Sequence, residues 1–223
     1  SGIQMPLYKQ GHKTIYQIHI PRTGGRYVRD LLKRNGFTVD GWNFTERHKE
    51  TGVEIPHLQY KYLKDLNLDC DLFSVIRNPI DRFKATMSNT SYFAEYEETK
   101  YFKRPDIFLN EITSYQDFVE KIEHRNTYLS CNSFINQTDF INDNTKLYKF
   151  ENGFEDNFIN WFNNNFNTNI VKKDIMTLLA VPLTKDRSMK NSFDNKITVE
   201  LSSKILDYVN RYYEKDMELW ERI

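Results

Sequence analysis

Two short segments of this chain combine arginines, glycines and hydroxyls in a way that could grip an anion. The first is HIPRTGGRYV at residues 19–28, where an apolar run ends in a proline and two glycines and a helical pattern begins at once. That order of elements aims free backbone N–H groups and the positive end of a helix dipole at one point. Gly24 and Gly25 allow close backbone approach, Thr23 adds a hydroxyl, and Arg22 and Arg26 add fixed charges. The second is VIRNPIDRFKATMS, with Arg77 directly after another apolar run and Arg82, Thr86 and Ser88 in the segment that follows. Open α/β sheets bind ligands at the carboxyl ends of their strands, which is where both segments would lie. Neither contains the GxxxxGK[ST] loop of the nucleotide triphosphatases or the GxGxxG dinucleotide fingerprint, so the anion is held in another way.

The elements that must position these residues are legible as patterns. TIYQIHI at 14–20 is β-branched and apolar and reads as a buried strand; RYVRDLLKRNGF repeats apolar residues at helical spacing and stops at Gly36. DLFSVI at 71–76 is a second strand, and Pro79 marks the start of the helix after it. Between them, the segment 56–66 begins with Pro56 and predicts a short helix. Downstream, 114–123 predicts a helix capped by Ser114, and 146–150 a short strand. An amphipathic helix carrying Phe154, Phe158, Trp161 and Phe162 follows, then one long amphipathic helix over 197–222. The Asn-rich 163–169 and the polar 183–195 read as loops. Alternating strands and helices predict a single α/β domain over 1–223, three layers deep, with a mostly parallel central sheet flanked by helices.

Composition narrows the classes of function. The chain has 223 residues, 39% of them hydrophobic and 28% charged, which suits one folded domain and not a disordered segment. Lys plus Arg equals Asp plus Glu at 31 each, so no global charge draws the chain to nucleic acid and any anion site is local. No apolar run is long enough to span a bilayer. Cys70 and Cys131 form neither a CxxC pair nor a metal-ligand cluster, so no metal is expected and the default setting is reduced, soluble and cytoplasmic. Ser1 to Gln4, ahead of Met5, fit a cloning scar and a trimmed luminal domain equally well.

The two motifs, HIPRTGG and VIRNPIDRFKA, resemble those of the sulfotransferases that use 3′-phosphoadenosine 5′-phosphosulfate (PAPS), in particular the glycan-type branch. That branch has HIPKTGGT as its 5′-phosphosulfate loop and R(N/D)PxxRxxS as its 3′-phosphate element. HLQYKYLKDL, YKFENGFEDNF and YYEKDMELWERI are fainter echoes, so the likeness extends over most of the chain. It implies a P-loop-kinase-like sulfotransferase fold, with PAPS as donor and adenosine 3′,5′-bisphosphate as product. By position, Arg22, Thr23, Gly24, Gly25, Arg26 and Tyr27 fall on the 5′-phosphosulfate loop and Arg77 on the 3′-phosphate arginine. Arg22 then stands where the family has a lysine that stabilises the leaving oxygen. A second departure is Ala85 in place of the family's serine, with Thr86 and Ser88 as the nearest substitute hydroxyls. Lys185, Arg187 and Lys190 would correspond to a late basic loop that closes over the nucleotide, or form a solvated loop.

Sulfuryl transfer needs in-line positioning, cations on the leaving oxygen and a base for the acceptor hydroxyl, and arginines can supply the charge without a metal. His57 is the expected base because related sulfotransferases carry a histidine ahead of the second strand; His48, between Glu46 and Glu50, is the second choice, and His19 reads as a satisfied core histidine. The acceptor, a small molecule or an oligosaccharide, would sit against loops 41–55 and 89–113, where Trp42, Tyr92, Phe93, Tyr96 and Tyr101 could stack on it or simply pack. Oligomeric state is not encoded in any of these patterns. Two other readings stay open: a non-catalytic nucleotide- or glycan-binding relative, and a kinase-like phosphoryl transferase, which would call for the Lys-Ser/Thr loop that is absent.

Overall fold

In the computed structural model, residues 6–62, 71–88, 105–129, 131–175 and 199–223 are described. Leu7–Gln10 (β1) turns at Gly11, whose φ of 59° is in the left-handed region, into Lys13–Gln17 (β2). Ile18, His19 and Ile20 carry the chain on from β2 to the glycine loop, all three buried, with the Ile18 amide donating to the Phe73 carbonyl at 2.8 Å. Gly25–Arg34 (α1) follows, then Thr38–Asp40 (β3). Asp71–Ile76 (β4) leads into Pro79–Met87 (α2), and Lys146–Lys149 (β5) into Asp156–Phe166, here termed α5 after Pro105–Asn110 (α3) and Tyr115–Leu129 (α4). The chain ends in Ser203–Tyr212 (α6) and Glu214–Arg222 (α7).

The sheet order is β3-β1-β2-β4-β5. β2, β4 and β5 run parallel, but β1 pairs antiparallel with both β2 and β3, so the sheet is mixed where a mostly parallel one was expected. The reason is local: the Gly11 turn closes a hairpin, a two-strand device that the apolar run at 14–20 does not announce. Its two faces are covered by different layers. Tyr8, Ile15, Phe73, Val75 and Tyr148 face α1 and α5, while Leu72 and Ile76 cluster with Leu58, Phe140 and Leu219 of α7. A third cluster joins α2, α3, α4 and α6 through Phe83, Phe108, Phe118, Phe134 and Val209. No helix among the described residues is long and apolar enough to cross a membrane.

Three further expectations are corrected. Over its described residues, 56–62, the segment from Pro56 is not an α-helix: it makes single 3₁₀ turns at Ile55–His57 and Tyr60–Tyr62, because Leu58 is pulled extended into the core and the Tyr60 amide donates to the Phe140 carbonyl at 2.9 Å. The terminal helix breaks at Tyr213, whose buried hydroxyl donates to the Phe134 carbonyl at 2.7 Å while Asp216 accepts from the Gln137 and Thr138 amides. The Asn-rich stretch is helical as far as Phe166 and then capped by its own asparagine: Asn163 Oδ1 accepts from the Thr168 hydroxyl and the Ile170 amide, with Asn167 left-handed at φ 52°.

The parallel strands β2 and β4 lie side by side, so the loops after them are neighbours, and Arg82 joins those loops. Its guanidinium is buried and donates to three carbonyls: Nε to Pro21 at 3.0 Å, Nη1 to Ile135 at 2.7 Å and Nη2 to Asn132 at 3.3 Å. A lysine has no planar fork with which to meet all three. Arg82→Lys should therefore cost roughly 2–5 kcal/mol, the penalty of stranding two buried acceptors. Urea unfolding checks this, and a loss below about 1 kcal/mol would show that the guanidinium does not clamp the loops.

Candidate functional site

The glycine loop is held in an uncommon backbone geometry. Arg22 is left-handed at φ 67°, which costs a residue with a Cβ about 1–2 kcal/mol and so must be imposed from outside. The imposing contacts are visible: Arg77 Nη1 donates to the Arg22 carbonyl at 3.1 Å, and Arg82 holds the Pro21 carbonyl. Gly24, at φ 82°, is the N-cap of α1 and has no side chain to cap it; the first turn carries no acid, so the positive helix end stays unneutralised from within. At Gly25 a Cβ would fall 2.2 Å from the His19 ring, so only glycine lets the imidazole lie against the loop backbone.

Of the loop residues named from sequence, Arg22 is partly buried and Arg26 exposed at the helix start. Thr23 and Tyr27 turn inward. The Thr23 hydroxyl donates to the Ile20 carbonyl at 2.7 Å, and the buried Tyr27 ring packs edge-on to Phe154. Arg77 is brought to the same place from 55 residues away, with its guanidinium 4.4 Å over the Phe150 ring and its Nε buried without a hydrogen-bond partner. Thr86 and Ser88 are not brought there. The Thr86 hydroxyl is buried and donates to the Arg82 carbonyl at 3.0 Å, and Ser88 donates to Ala85 at 3.1 Å. Lys185, Arg187 and Lys190 lie outside the described residues, as do Cys70, Tyr92, Phe93, Tyr96 and Tyr101.

Several residues that position the site were not evident in the motifs. Gln137 grips the Arg77 backbone from both sides, accepting from its amide at 2.9 Å and donating to its carbonyl at 2.8 Å, and Asp216 in turn accepts from the Gln137 amide at 2.8 Å. Glu151 bridges the Asn78 amide and the Trp220 indole, at 2.6 and 3.0 Å, tying the second loop to α7. Asn78 itself carries a local signal that could be read, since its Oδ1 caps α2 by accepting from Ile80 and Asp81.

His57 also stands beside the glycine loop. Its ring centroid is 4.8 Å from that of His19 and 5.2 Å from Phe44, and its carbonyl accepts from Asn132 Nδ2 at 3.0 Å. Arg82 holds Asn132, so the same clamp that joins the two loops also fixes His57. His19 is buried, but its Nδ1 has no hydrogen-bond partner, unlike the satisfied core histidine expected there. Trp42 is packed rather than open. Its ring lies 4.8 Å from His19 with Arg29 5.4 Å over it, and its indole N–H donates to the Tyr8 hydroxyl at 3.2 Å. His48 is taken up by its own turn, where Nδ1 meets the Thr51 hydroxyl at 3.0 Å. Among the described residues no group of three or more His, Cys, Asp or Glu could hold a metal ion.

Searches against protein-family models, curated proteins and solved structures each return no match.

The electrostatics follow from burial and the converging arginines. Burial, then Arg22, Arg82 and Arg26, hold His57 well below the ordinary imidazole range; burial, then His57, Arg26 and Arg22, do the same to His19. Both rings are thus neutral in the folded protein at pH 7, and both gain protons on unfolding below about pH 6.5. The unfolded state then binds more protons, so stability falls as pH drops from 7 to 5. The slope should reach about 1.4 kcal/mol per pH unit for each histidine. Urea unfolding of the wild type and of His57→Gln over this range tests the assignment, the variant having the shallower slope. Equal slopes would show that His57 is already charged in the fold.

Proposed function

We propose that this protein is a sulfotransferase, moving a sulfuryl group from PAPS to a hydroxyl, most naturally of a carbohydrate. The observation that carries the reading is the junction of the two motif loops at the carboxyl ends of neighbouring parallel strands: Arg77 bonded to the Arg22 carbonyl, with His57 alongside. In a chain of zero net charge, arginines at 22, 26, 77 and 82 collect around one helix N-terminus, which favours a ligand with more than one anionic group. The residues fit such a donor on two counts. Arg77 keeps a buried Nε–H without a partner, and Gly24 leaves the N-terminus of α1 without a side-chain cap. The missing hydroxyl at Ala85 means that the 3′-phosphate would rest on Arg77 and not on a serine.

When bound, PAPS supplies the sulfuryl group and departs as adenosine 3′,5′-bisphosphate. The chain's own residues divide the remaining work. Arg22, Arg26 and the α1 N-terminus neutralise charge that gathers on the leaving oxygen. Arg77, steadied by Gln137 and Phe150, holds the 3′-phosphate. His57 takes the acceptor's proton, a role open to a neutral imidazole at pH 7. The uncapped, charged loop favours this enzyme reading over a kinase, because no Lys-Ser/Thr loop is present to hold a triphosphate and its metal.

Adenosine 3′,5′-bisphosphate should raise the thermal unfolding midpoint, with ATP and adenosine 5′-phosphate giving smaller shifts. Arg77→Ala should weaken that binding about tenfold or more, as expected for loss of a charge-assisted contact of roughly 1.5–3 kcal/mol. An equal shift with ATP, or unchanged affinity in Arg77→Ala, would overturn the donor assignment. With an acceptor in hand, His57→Ala should retain the nucleotide shift and lose about 100-fold or more in turnover, the range for a general base. Full turnover in that variant would remove His57 from the chemistry.

A further inference from the structure

A histidine used as a base needs its proton fixed on one ring nitrogen so that the other is always the acceptor. The fold supplies a group placed to do this. Glu54 precedes the 3₁₀ turn Ile55–His57, whose start is set by Pro56, and three residues per turn bring positions 54 and 57 onto one edge. Glu54 Oε2 lies 2.9 Å from His57 Nδ1. The pair is held from several directions. The His57 amide donates to the Glu54 carbonyl at 2.9 Å, Glu54 pairs with Arg47 across a hairpin bridge, and Asn132 holds the His57 carbonyl. The carboxylate is half-buried, with Arg47 3.8 Å from its other oxygen.

Building on the sulfotransferase reading, we propose that Glu54 is a positioning residue: its carboxylate accepts the Nδ1–H of His57 and so leaves Nε2 as the nitrogen that receives the acceptor's proton. The balance is simple. The acceptor O–H bond breaks as its oxygen bonds sulfur, the S–O bond to the donor phosphate breaks, the proton passes to Nε2, and the imidazolium so formed lies against the adjacent carboxylate. Among the described residues, the other charges that bear on that imidazolium are positive. Arg22 and Arg26 bear on it from the glycine loop and α1, Arg82 from α2, His19 from the segment after β2, and Arg47 stands beyond Glu54. The same carboxylate places a negative charge 2.9 Å from Nδ1 of that imidazolium.

The test is the tautomer of His57, read by long-range proton–nitrogen NMR on ¹⁵N-histidine-labelled protein at pH 7. The wild type should show Nδ1–H with bare Nε2. In the near-isosteric Glu54→Gln the amide can donate to Nδ1 instead, so the Nε2–H form should appear. Turnover should fall about 10- to 100-fold, within the range of a disabled general base, with the adenosine 3′,5′-bisphosphate thermal shift retained. An Nε2–H tautomer in the wild type, or an unchanged tautomer in Glu54→Gln, would overturn the proposal, and the wild-type spectrum decides it even if the variant does not fold. Absence of the nucleotide shift in the wild type would instead overturn the sulfotransferase reading and, with it, any catalytic use of the pair.

Discussion

One buried guanidinium holds the candidate site of this protein together. Arg82 is planar, permanently charged and enclosed, and it points its donors at the carbonyls of Pro21, Asn132 and Ile135, which belong to two separate loops. Taking such a charge out of water costs several kcal/mol, and only a full set of acceptors offsets it. That all-or-none character makes the arginine a locator. The glycine loop, the segment that carries Asn132 and, through Asn132, the His57 backbone are all referenced to the same group. Burial pushes the Arg82 pKa down, while Tyr213 and Asp216 nearby push it up, so the C-terminal helices contribute to keeping it charged.

The clamp explains how strain can be tolerated next to it. Arg22 stays left-handed because its carbonyl is held by Arg77 and that of its neighbour Pro21 by Arg82. Arg77 is itself steadied through Gln137 by Asp216 of α7. A chain with zero net charge thus carries a concentrated positive corner, balanced by acids such as Glu151 and Asp216, which also accept from backbone amides. Two neutral imidazoles are the consequence of placing histidines in that corner, since burial and like charge both oppose their protonation.

Where local signals and tertiary demands agree, the elements follow the pattern of residues. β4 spans the apolar run 71–76, and α2 begins at Pro79 with Asn78 as its cap. Ser114 caps α4 by accepting from the Asp117 amide, although the helix continues to Leu129, past the expected end. Where they conflict, packing prevails. Leu58, Gln59 and Tyr60 leave the helix that Pro56 would start because the core takes Leu58 while the Asp139 and Phe140 carbonyls accept from the Gln59 side chain and the Tyr60 amide. Tyr213 breaks a helix whose periodicity runs through it, because one buried hydroxyl bond sets the angle between its halves.

The candidate site divides in the same way. Glycines, a proline and arginines at tight spacing are short-range statements about backbone freedom and charge, so the glycine loop and the Arg77 segment could be read from residue order alone. The orientation of Thr23, Tyr27, Thr86 and Ser88 could not, because each side chain turned toward a nearby carbonyl or the core instead of toward the loop. Glu54 had only a spacing of three from His57, a pattern that acquires meaning once a 3₁₀ turn and the carbonyl grip of Asn132 fix both side chains. Sequence by itself therefore determined which groups could bind an anion and which strands would carry them. The tertiary structure decided which of those groups meet, because buried hydrogen bonds between distant segments, with Arg82 at their centre, depend on the fold and not on neighbours along the chain.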